Sequence, residues 1–463
     1  MDPPVTDLRG LSLWFDQLDE DDLVARDPLD GDTQADVVIV GAGMTGLWTA
    51  YYLLEADPSL DVLLVEQVVA GFGASGRAGG WCSAQLPVSG DALARAHGWD
   101  AAVAMRAAMR DAVVEVGGVA AAELVDCGFA YGGTVTLARN RPQLERVAAE
   151  VSAGTAFGDE ATLLDADAVR AHVRADGVLG GAYSADCARL QPAKLVRGLV
   201  DVVLARGARL AEGTRAMRLS PRAVVTDHGT VRARYVVRAT EAWSAQLPGS
   251  RRSVAPVYSL MIATEPLPDD VWDEIGLAQA ETFTDARHLL VYGQRTTDGR
   301  LAFGGRGAPY HLGSAIRPAF DTDALVSEHL HRELVSLFPV LRTTEITHRW
   351  GGPIGVPRDW HPSVGLDEDG NAWAGGYVGD GIAACNLAGR TLADLLTGAD
   401  TALTRLPWVG HRSPEWEPEP VRWAGITAAR KAAALADRTE DRTGRTSRLA
   451  PVLDALLGGA DGS

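Results

Sequence analysis

The chain has 463 residues, 46% of them hydrophobic and 22% charged, as expected of a globular protein long enough for two lobes. The formal net charge of −18 is spread along the chain, which argues against nucleic acid and anionic membranes as partners. Four scattered cysteines, no run of about 18 apolar residues and no secretion signal argue against a disulfide framework and a membrane span, and favour a cytoplasmic protein.

A β-α-β unit is predicted near the amino terminus, where the chain reads DVVIVGAGMTGLWTAYYLLE from Asp36. The run VVIV is typical of a strand buried on both faces, and an apolar helix is predicted from about Met44 to Glu55. A second apolar run, DVLLVE, ends at Glu66 and predicts the next parallel strand.

The turn of this unit carries the glycine spacing of a dinucleotide-binding fingerprint. Gly41 permits a tight turn, Gly43 lets the backbone approach a pyrophosphate, and Gly46 lets the helix pack closely on the strand. Glu66 would accept hydrogen bonds from ribose hydroxyls. The unit therefore predicts a dinucleotide cofactor, without separating FAD from NAD.

A second glycine-rich segment, GFGASGRAGGW, runs from Gly71 to Trp81. Its small residues would let the backbone run along a long cofactor, and Ser75 and Arg77 are candidates to bind phosphate or a flavin pyrimidine. A flexible linker rarely carries an arginine and a tryptophan in such spacing, so the segment favours a flavin.

Further along the chain, the pattern changes from helices to strands. Alanine-rich helices are predicted between Asp91 and Val125, and a strand pair or bent strand between Phe129 and Arg139. A helix from Lys194 to Ala205 leads to the strand candidates ARLAEG, AVVTDH and RYVVRAT. The strands YSLMIAT, HLLVYG and RLAFGGR, between Tyr258 and Arg306, predict an antiparallel sheet with one solvated face.

The last part of the chain is predicted to be helical and glycine-rich. Helices are expected around Asp323 to Leu337 and from Ala383 to Leu396, with glycine-rich loops between them. In the tail, WEPEPVRWAG precedes a charged helix that is expected to wrap the surface, and RTEDRTGRTSR is expected to be exposed.

These motifs, in this order, resemble the D-amino-acid oxidase/glycine oxidase superfamily of flavoproteins, and within it the γ-glutamylputrescine oxidase-like enzymes. The motifs that carry the resemblance are DVVIVGAGMTGLWTAYYL, GFGASGRAGG, LQPAKLVRGLV, RYVVRATEAW, APVYSLMIATEPL, DGRLAFGGRG, HRWGGPIGVPRDWHPSVG and GGYVGDGIAACNLAGRTLADLL. They cover most of residues 35 to 400.

The resemblance implies an α/β fold, with a discontinuous Rossmann-type FAD-binding domain and an antiparallel α+β substrate-binding domain. The implied boundaries are residues 1–95, 180–255 and 345–405 for the FAD-binding domain, 96–179 and 256–344 for the substrate-binding domain, and 406–463 for a C-terminal tail.

The resemblance also implies non-covalent FAD, since Cys385 is off the position where relatives tether flavin. By motif, Glu66 and Gln67 would bind the adenosine ribose, and residues 376–382 would face the flavin ring. The full expected cofactor-binding set is Gly41, Gly43, Met44, Thr45, Gly46, Glu66, Gln67, Gly73, Ala74, Ser75, Arg77, Gly79, Gly80, Trp81, Ala216, Ala239, Thr240, Trp243, Gly352, Gly376, Gly379, Asp380, Gly381 and Ile382.

Three positions depart from the family pattern. Asp380 stands where the family often has His, and a carboxylate there would oppose flavin reduction unless it is protonated or turned outward. Ile354, eight residues before Pro362, replaces the arginine that clamps the substrate carboxylate in amino-acid oxidases, which favours an amine. Ala302 replaces a lysine that activates oxygen in sarcosine-oxidase-like members, which leaves the electron acceptor open.

The leading prediction is an FAD-dependent amine oxidoreductase that oxidises a CH–NH group to an imine by hydride transfer to flavin, with O2 as acceptor and H2O2 as product. A cationic substrate would suit an aromatic wall. The candidates to line the substrate site are Trp81, Tyr258, His288, Tyr292, Arg306 and Trp350. No metal site is expected, because no cluster of metal-ligand residues is present.

Two alternatives stay open. The first is an FAD-dependent amino-acid oxidase or dehydrogenase that uses an acceptor other than oxygen, and the second is an FAD-binding protein without turnover. The expected partners are a small-molecule amine and an electron acceptor, and the chain is expected to be a monomer or a homodimer.

Overall fold

The computed structural model describes residues 7–450 and residue 453. Its strands are, in chain order, β1 (Thr33–Val40), β2 (Val62–Val65), β3 (Trp81–Ser83), β4 (Thr134–Ala138), β5 (Thr162–Asp165), β6 (Gly180–Ser184), β7 (Cys187–Arg189), β8 (Arg209–Ala211), β9 (Ala216–Ser220), β10 (Ala223–Thr226), β11 (Thr230–Arg238), β12 (Ala255–Thr264), β13 (Thr282–Asp285), β14 (Val291–Arg295), β15 (Leu301–Gly305), β16 (Ile346–Val356), β17 (Ser363–Leu366) and β18 (Asn371–Gly375).

Its α-helices are α1 (Leu13–Asp16), α2 (Met44–Ala56), α3 (Gly90–His97), α4 (Trp99–Ala122), α5 (Arg141–Ala156), α6 (Ala166–His172), α7 (Pro192–Ala205), α8 (Asp269–Ile275), α9 (Ala324–Leu337), α10 (Gly381–Thr397) and α11 (Val421–Thr443). Within the described residues, no helix combines the length and the apolar character that crossing a membrane requires.

A mainly parallel sheet is centred on β1, with the strand order β17-β18-β11-β1-β2-β8. β1 runs parallel to β2 and β11, and the hairpin of β9 and β10 pairs antiparallel beside β11. The run Val37–Val40 is buried because its alternate side chains enter two different apolar clusters on opposite faces of the sheet. This arrangement confirms the predicted α/β class with a Rossmann-type β-α-β unit.

The helix α2 is packed between β1 and α10, and it is buried from Met44 to Leu54. Glycine makes this close approach possible, since a Cβ atom added to Gly389 of α10 would lie 2.6 Å from the Cβ atom of Trp48. The glycine turn that starts α2 is therefore held rigidly against the sheet.

A second sheet has the order β16-β12-β15-β14-β13-β4-β6-β5, with antiparallel neighbours except for the parallel pair β13 and β4. The helix α9 covers one face, where Leu330 and Leu334 join an apolar cluster with Phe283 and Phe303. The predicted antiparallel sheet is present, and it is larger than the three strands that the sequence indicated.

Two sequence expectations are corrected by the fold. The glycine-rich stretch after α9, expected to form loops, contains the long strand β16, whose Gly351 lies so close to β12 that an added Cβ atom would overlap Ser259. The segment RTEDRTGRTSR is not uniformly exposed, because Glu440 and Ser447 are buried. In both cases long-range packing decides the outcome.

Candidate active site

A cavity of about 2190 Å³ lies between the two large sheets. Its lining includes Val40 and Val65 at the carboxyl ends of β1 and β2, and Tyr258 and Tyr292 from the second sheet. The carboxyl ends of parallel strands are where open α/β sheets bind ligands. The cavity is therefore the candidate active site.

The turn between β1 and α2 leaves no room for side chains. Gly41 has a φ of +105°, and a Cβ atom added to it would lie 2.5 Å from the carbonyl oxygen of Ala239. A Cβ atom on Gly46 would overlap the carbonyl oxygen of Gly41. The N–H of Met44 donates to the Ser75 hydroxyl oxygen at 2.9 Å, so the positive end of α2 lies at the cavity wall.

Glu66 lies at the end of β2, with its carboxylate beside the glycine turn. One oxygen accepts the N–H of Ala42 at 3.0 Å, and the other accepts the N–H of Val68 at 3.1 Å. Burial raises the pKa of Glu66 to about 7, and the nearby carboxylate of Glu212 also raises it. Each carboxylate oxygen keeps a lone pair that can accept a hydrogen bond from a ribose hydroxyl.

Arg77 belongs to the glycine-rich segment 71–81, and its buried side chain joins this segment to the second sheet. Its Nε donates to the carbonyl oxygen of Phe72 at 2.8 Å. Its Nη1 donates to Asp321 at 2.6 Å and to the carbonyl oxygen of Gly351 at 3.0 Å. Its Nη2 is buried and has no hydrogen-bond partner among the described residues, so one donor remains for a ligand.

The loop before α10 contributes a second helix start to the cavity. Gly376 and Gly379 have φ values of +84° and +107°, and α10 begins at Gly381 without a side-chain cap from Asp380. Burial raises the pKa of Asp380 to about 6, and the positive charge of Arg306 limits the rise. Near pH 6 this carboxyl group is therefore only partly ionised.

Glu241 is a cavity residue that sequence reasoning missed. It follows β11 at a φ of +43°, and its carboxylate accepts the N–H of Gly355 at 2.5 Å. Burial raises the pKa of Glu241 to about 7. The signal available in the sequence was an acidic residue shortly after the end of a buried parallel strand.

The opposite wall of the cavity is aromatic. The rings of Trp81 and Tyr292 meet edge to face with centroids 5.9 Å apart, and the Tyr292 hydroxyl lies 3.0 Å from the Ser259 hydroxyl. The indole N–H of Trp81 is buried and lacks an acceptor within the described part of the chain. Arg306 also lines the cavity, and among those residues none accepts a hydrogen bond from its guanidinium.

Two predicted aromatic residues have their polar atoms engaged elsewhere. The hydroxyl of Tyr258, which lines the cavity, accepts the N–H of Arg317 at 3.3 Å. The structure places Trp350 outside the cavity lining, because its indole N–H donates to the carbonyl oxygen of Arg77 at 2.9 Å and its ring packs against Trp14. Trp350 supports the glycine-rich segment from below.

His288 lines the cavity from the turn between β13 and β14, and it belongs to a polar cluster. Its Nε2 lies 3.2 Å from Arg146 and 3.4 Å from Glu440. The side chains of His288, Asp437 and Glu440 offer ligand atoms within 4.8 Å of one another. Arg146 donates to Glu440 at 2.9 Å, so a cation of the protein already occupies this cluster.

Most of the predicted cofactor-binding residues lie around the one cavity. Those in its lining are Gly41, Gly43, Met44, Thr45, Glu66, Gln67, Gly73, Ala74, Ser75, Arg77, Gly79, Trp81, Ala216, Ala239, Thr240, Trp243, Gly352, Gly379, Asp380, Gly381 and Ile382. Gly46, Gly80 and Gly376 lie behind this surface, where they shape the backbone.

These residues fit FAD. Two helix starts, at Met44 and Gly381, present N–H groups to acceptors such as phosphate and flavin carbonyl oxygens. Arg77 and Trp81 each keep a buried donor without a partner among the described residues, which a bound acceptor would satisfy. Glu66 supplies the complementary acceptor for hydroxyl groups.

Comparisons with known proteins agree with this fit. Residues 36–395 match the DAO family, described as FAD dependent oxidoreductase. The chain is 30% identical over 399 residues to gamma-glutamylputrescine oxidoreductase of Escherichia coli (strain K12), covering 84% of this chain and 91% of the relative. It is also 30% identical over 384 residues to the probable oxidoreductase OrdL of Rhizobium meliloti (strain 1021), covering 81% and 86%.

The fold is also similar to those of solved structures. Glycine oxidase from Geobacillus kaustophilus superposes with a TM-score of 0.69 at 22% identity, over 82% of this chain and 99% of that chain. The chain therefore belongs to the DAO family of FAD-dependent oxidoreductases, and the protein is an enzyme with FAD as its cofactor.

Proposed function

We propose that the enzyme oxidises a small amine or amino compound at its CH–NH group to an imine, which water then hydrolyses. The observation that carries this proposal is the apolar character of one wall of the cavity. Ile354, which by its spacing from Pro362 is expected to replace the carboxylate-binding arginine of the family's amino-acid oxidases, lines the cavity and packs against an apolar cluster with Val378 and Trp416. An apolar wall cannot pair with a carboxylate, whereas it tolerates a neutral amine and its carbon chain.

The aromatic rings of Trp81 and Tyr292, which line the cavity, would contact the substrate. An aromatic pair attracts the ammonium form of an amine on arrival through cation–π contact. Desolvation in the cavity then favours the neutral amine, the form that can be oxidised. Bound FAD supplies the two-electron acceptor for this chemistry.

The helix start at Gly381 would stabilise negative charge at the opposite side of the cavity. Asp380 is neutral below about pH 6 because of its burial, so it then opposes such charge less than an exposed carboxylate would.

We propose non-covalent FAD and O2 as the electron acceptor, with H2O2 as product. The Cys385 thiol lies 3.1 Å from the Thr45 hydroxyl, and burial raises its pKa to about 12, so it stays protonated and unreactive. Acid precipitation should therefore release all of the flavin into the supernatant. A different acceptor is the second possibility: Ala302, which the resemblance aligns with the oxygen-activating lysine, is buried in an apolar cluster with Trp14 and Trp350 and supplies no cation.

A second candidate function is the oxidation of an amino acid. Arg306 favours it, since its guanidinium reaches the cavity without an ion-pair partner among the described residues. A carboxylate there would gain a charge-assisted hydrogen bond.

The test is an anaerobic titration of the purified holoenzyme with polyamines, N-methyl amines and amino acids, followed through the visible flavin absorption. Bleaching by amines, followed by rapid recovery and stoichiometric H2O2 on admission of air, is the expected result. Bleaching by amino acids alone would favour the second candidate. A flavin band that no compound of the panel bleaches would contradict both.

A further inference from the structure

The helix α11 lies beyond residues 36–395, the part of the chain that matches the family, yet it forms a wall of the cavity. Gly425, Ile426, Ala429, Arg430 and Ala433 line the cavity. Their spacing of three and four residues puts them on one face of the helix. The opposite face is exposed, for example at Ala428.

Hydrogen bonds fix this wall along its whole length. The indole N–H of Trp416 donates to the carbonyl oxygen of Val356 at 2.7 Å, just before the helix. In the middle of the helix, Arg430 donates to the carbonyl oxygen of Gly307 at 2.9 Å. Near its end, Asp437 accepts the backbone N–H groups of His288 and Leu289, in the turn between β13 and β14, at 2.9 and 3.0 Å. α11 is therefore a docked element of the cavity.

Apolar packing joins α11 to the loop before α10. Ile426 and Ile354 pack against the same cluster, which contains Val378. A Cβ atom added to Gly379 would lie 3.9 Å from the Cδ1 atom of Ile354. The face of α11 is thus continuous with the wall that carries the proposed amine specificity.

Gly425 lacks a structural reason to be glycine. It lies inside a helix, where glycine costs about 1 kcal/mol relative to alanine, and its φ is not in the left-handed region. No described atom lies within 4 Å of a Cβ atom added there, so no packing contact requires it. Gly425 is exposed at the surface of the cavity, so a larger side chain there would extend into this open space.

We propose that α11 is the wall that determines the size of the amine accepted, with Gly425 and Ala429 keeping space for the part of the substrate remote from the oxidised carbon. This inference rests on the proposed amine oxidation. A larger side chain at either position fills the cavity from this wall and excludes long or branched amines. Short amines, which would contact the aromatic pair of Trp81 and Tyr292, are unaffected.

The test compares binding of 1,4-diaminobutane and N-benzyl-1,4-diaminobutane to anaerobic holoenzyme, measured by stopped flow from the change in the visible flavin spectrum that precedes any reduction. Gly425→Phe and Ala429→Leu should each weaken binding of the larger amine by about tenfold or more, equivalent to about 1.4 kcal/mol, because the added side chain occupies the space that this amine needs. The outward-facing Ala428→Phe is the matched control, and it should change either dissociation constant by no more than about twofold.

Equal weakening of both amines, or no effect on the larger one, would overturn the proposal. Failure of the larger amine to bind the wild-type holoenzyme would also overturn it, because the wall would then leave no room. Reduction of the flavin by 1,4-diaminobutane, seen as loss of its visible absorption, is a separate measurement that tests the proposed amine oxidation. If both variants weaken binding of the larger amine alone but neither amine reduces the flavin, amine oxidation is contradicted. The role of α11 as the size-determining wall is then still supported.

Discussion

Asp380 shows how the environment of one residue changes its chemistry. A carboxylate at the start of the helix that faces the flavin in this family would oppose reduction, since electrons add negative charge there. The structure buries Asp380 near Arg306, and burial raises its pKa to about 6. The group is therefore neutral in mildly acidic solution and ionised in alkaline solution.

The variant Asp380→Asn tests this charge. At pH 8 the wild-type carboxylate is ionised, so its replacement should raise the midpoint potential of the bound flavin by roughly 30 mV, about 1.4 kcal/mol for a two-electron couple. At pH 5 the wild-type group is protonated, and the two proteins should have nearly equal potentials. Spectroelectrochemical titrations at both pH values measure the difference, and an equal shift at both would show that charge is not its cause.

Arg306 distinguishes the two candidate functions. If the substrate is an amine, Arg306→Met removes a like charge and should lower the KM by about fivefold, equivalent to roughly 1 kcal/mol. If the substrate is an amino acid, the same change removes a charge-assisted hydrogen bond worth about 1.5–3 kcal/mol and should raise the KM at least tenfold. Steady-state kinetics with both substrate classes decide between these outcomes, and Arg306→Lys, which keeps the charge, is the control.

Among the elements, α11 depends on one buried carboxylate for its carboxyl end. Glu440 accepts hydrogen bonds from Arg146 at 2.9 Å and from the N–H of Ser447 at 3.1 Å. Interactions with His288 and Arg146 hold the pKa of Glu440 down at about 2 despite its burial. The carboxylate therefore stays ionised at every pH at which the enzyme is expected to work.

The variant Glu440→Ala should release this end of α11. It leaves Arg146 and a buried backbone N–H without their partner, a loss of about 3 kcal/mol for a broken buried pair. Limited trypsin digestion should then cut faster after Arg438 and Arg442, while Thr439→Ala, at a half-buried position next to Glu440, is the control. Equal digestion of both variants would show that the polar cluster does not hold the helix.

Several elements could be predicted from local patterns, and others could not. α2 and β1 carry continuous apolar runs, which are visible in the local sequence alone. β16 lacks such a pattern, since its glycines serve the close contact with β12. Its strand character comes from a partner about a hundred residues earlier in the chain.

At the scale of the whole molecule, a pair of histidines joins the segment before β17 to the segment before α11. The rings of His361 and His411 are stacked with centroids 3.9 Å apart, and His411 lies 2.8 Å from Asp359. Burial, and then the charge of His411, lowers the pKa of His361 to about 4. His361 is therefore neutral in the folded protein at pH 6, where an unfolded chain would take up protons.

This difference predicts a pH dependence of stability. Because the folded-state pKa of His361 is below the unfolded value of 6.5, stability is lost as the pH falls from about 6.5 to about 4. The contribution is about 2–3 kcal/mol at most. Thermal unfolding between pH 7 and pH 5 should be less pH-dependent in His361→Gln than in wild type or in the exposed control His228→Gln. An unchanged pH dependence would contradict the assignment.

The sequence by itself determined the Rossmann-type unit, because that unit depends on glycine spacing and apolar runs within short segments, and the resemblance of its motifs to a known family indicated FAD. Gly41, Gly43 and Gly46 are informative since each serves a backbone contact formed within one turn. The later motifs could be recognised for the same reason, as each is a short local pattern.

Only the tertiary structure decided which distant side chains share the cavity. Glu241, Tyr292, Arg306 and Asp380 are brought together by the packing of two sheets, and nothing in their local sequence encodes that distance. The same packing buries Trp350 and docks α11 over the cavity. The physical reason is that local patterns specify backbone conformation, whereas the position of a side chain relative to remote ones depends on burial of the whole core.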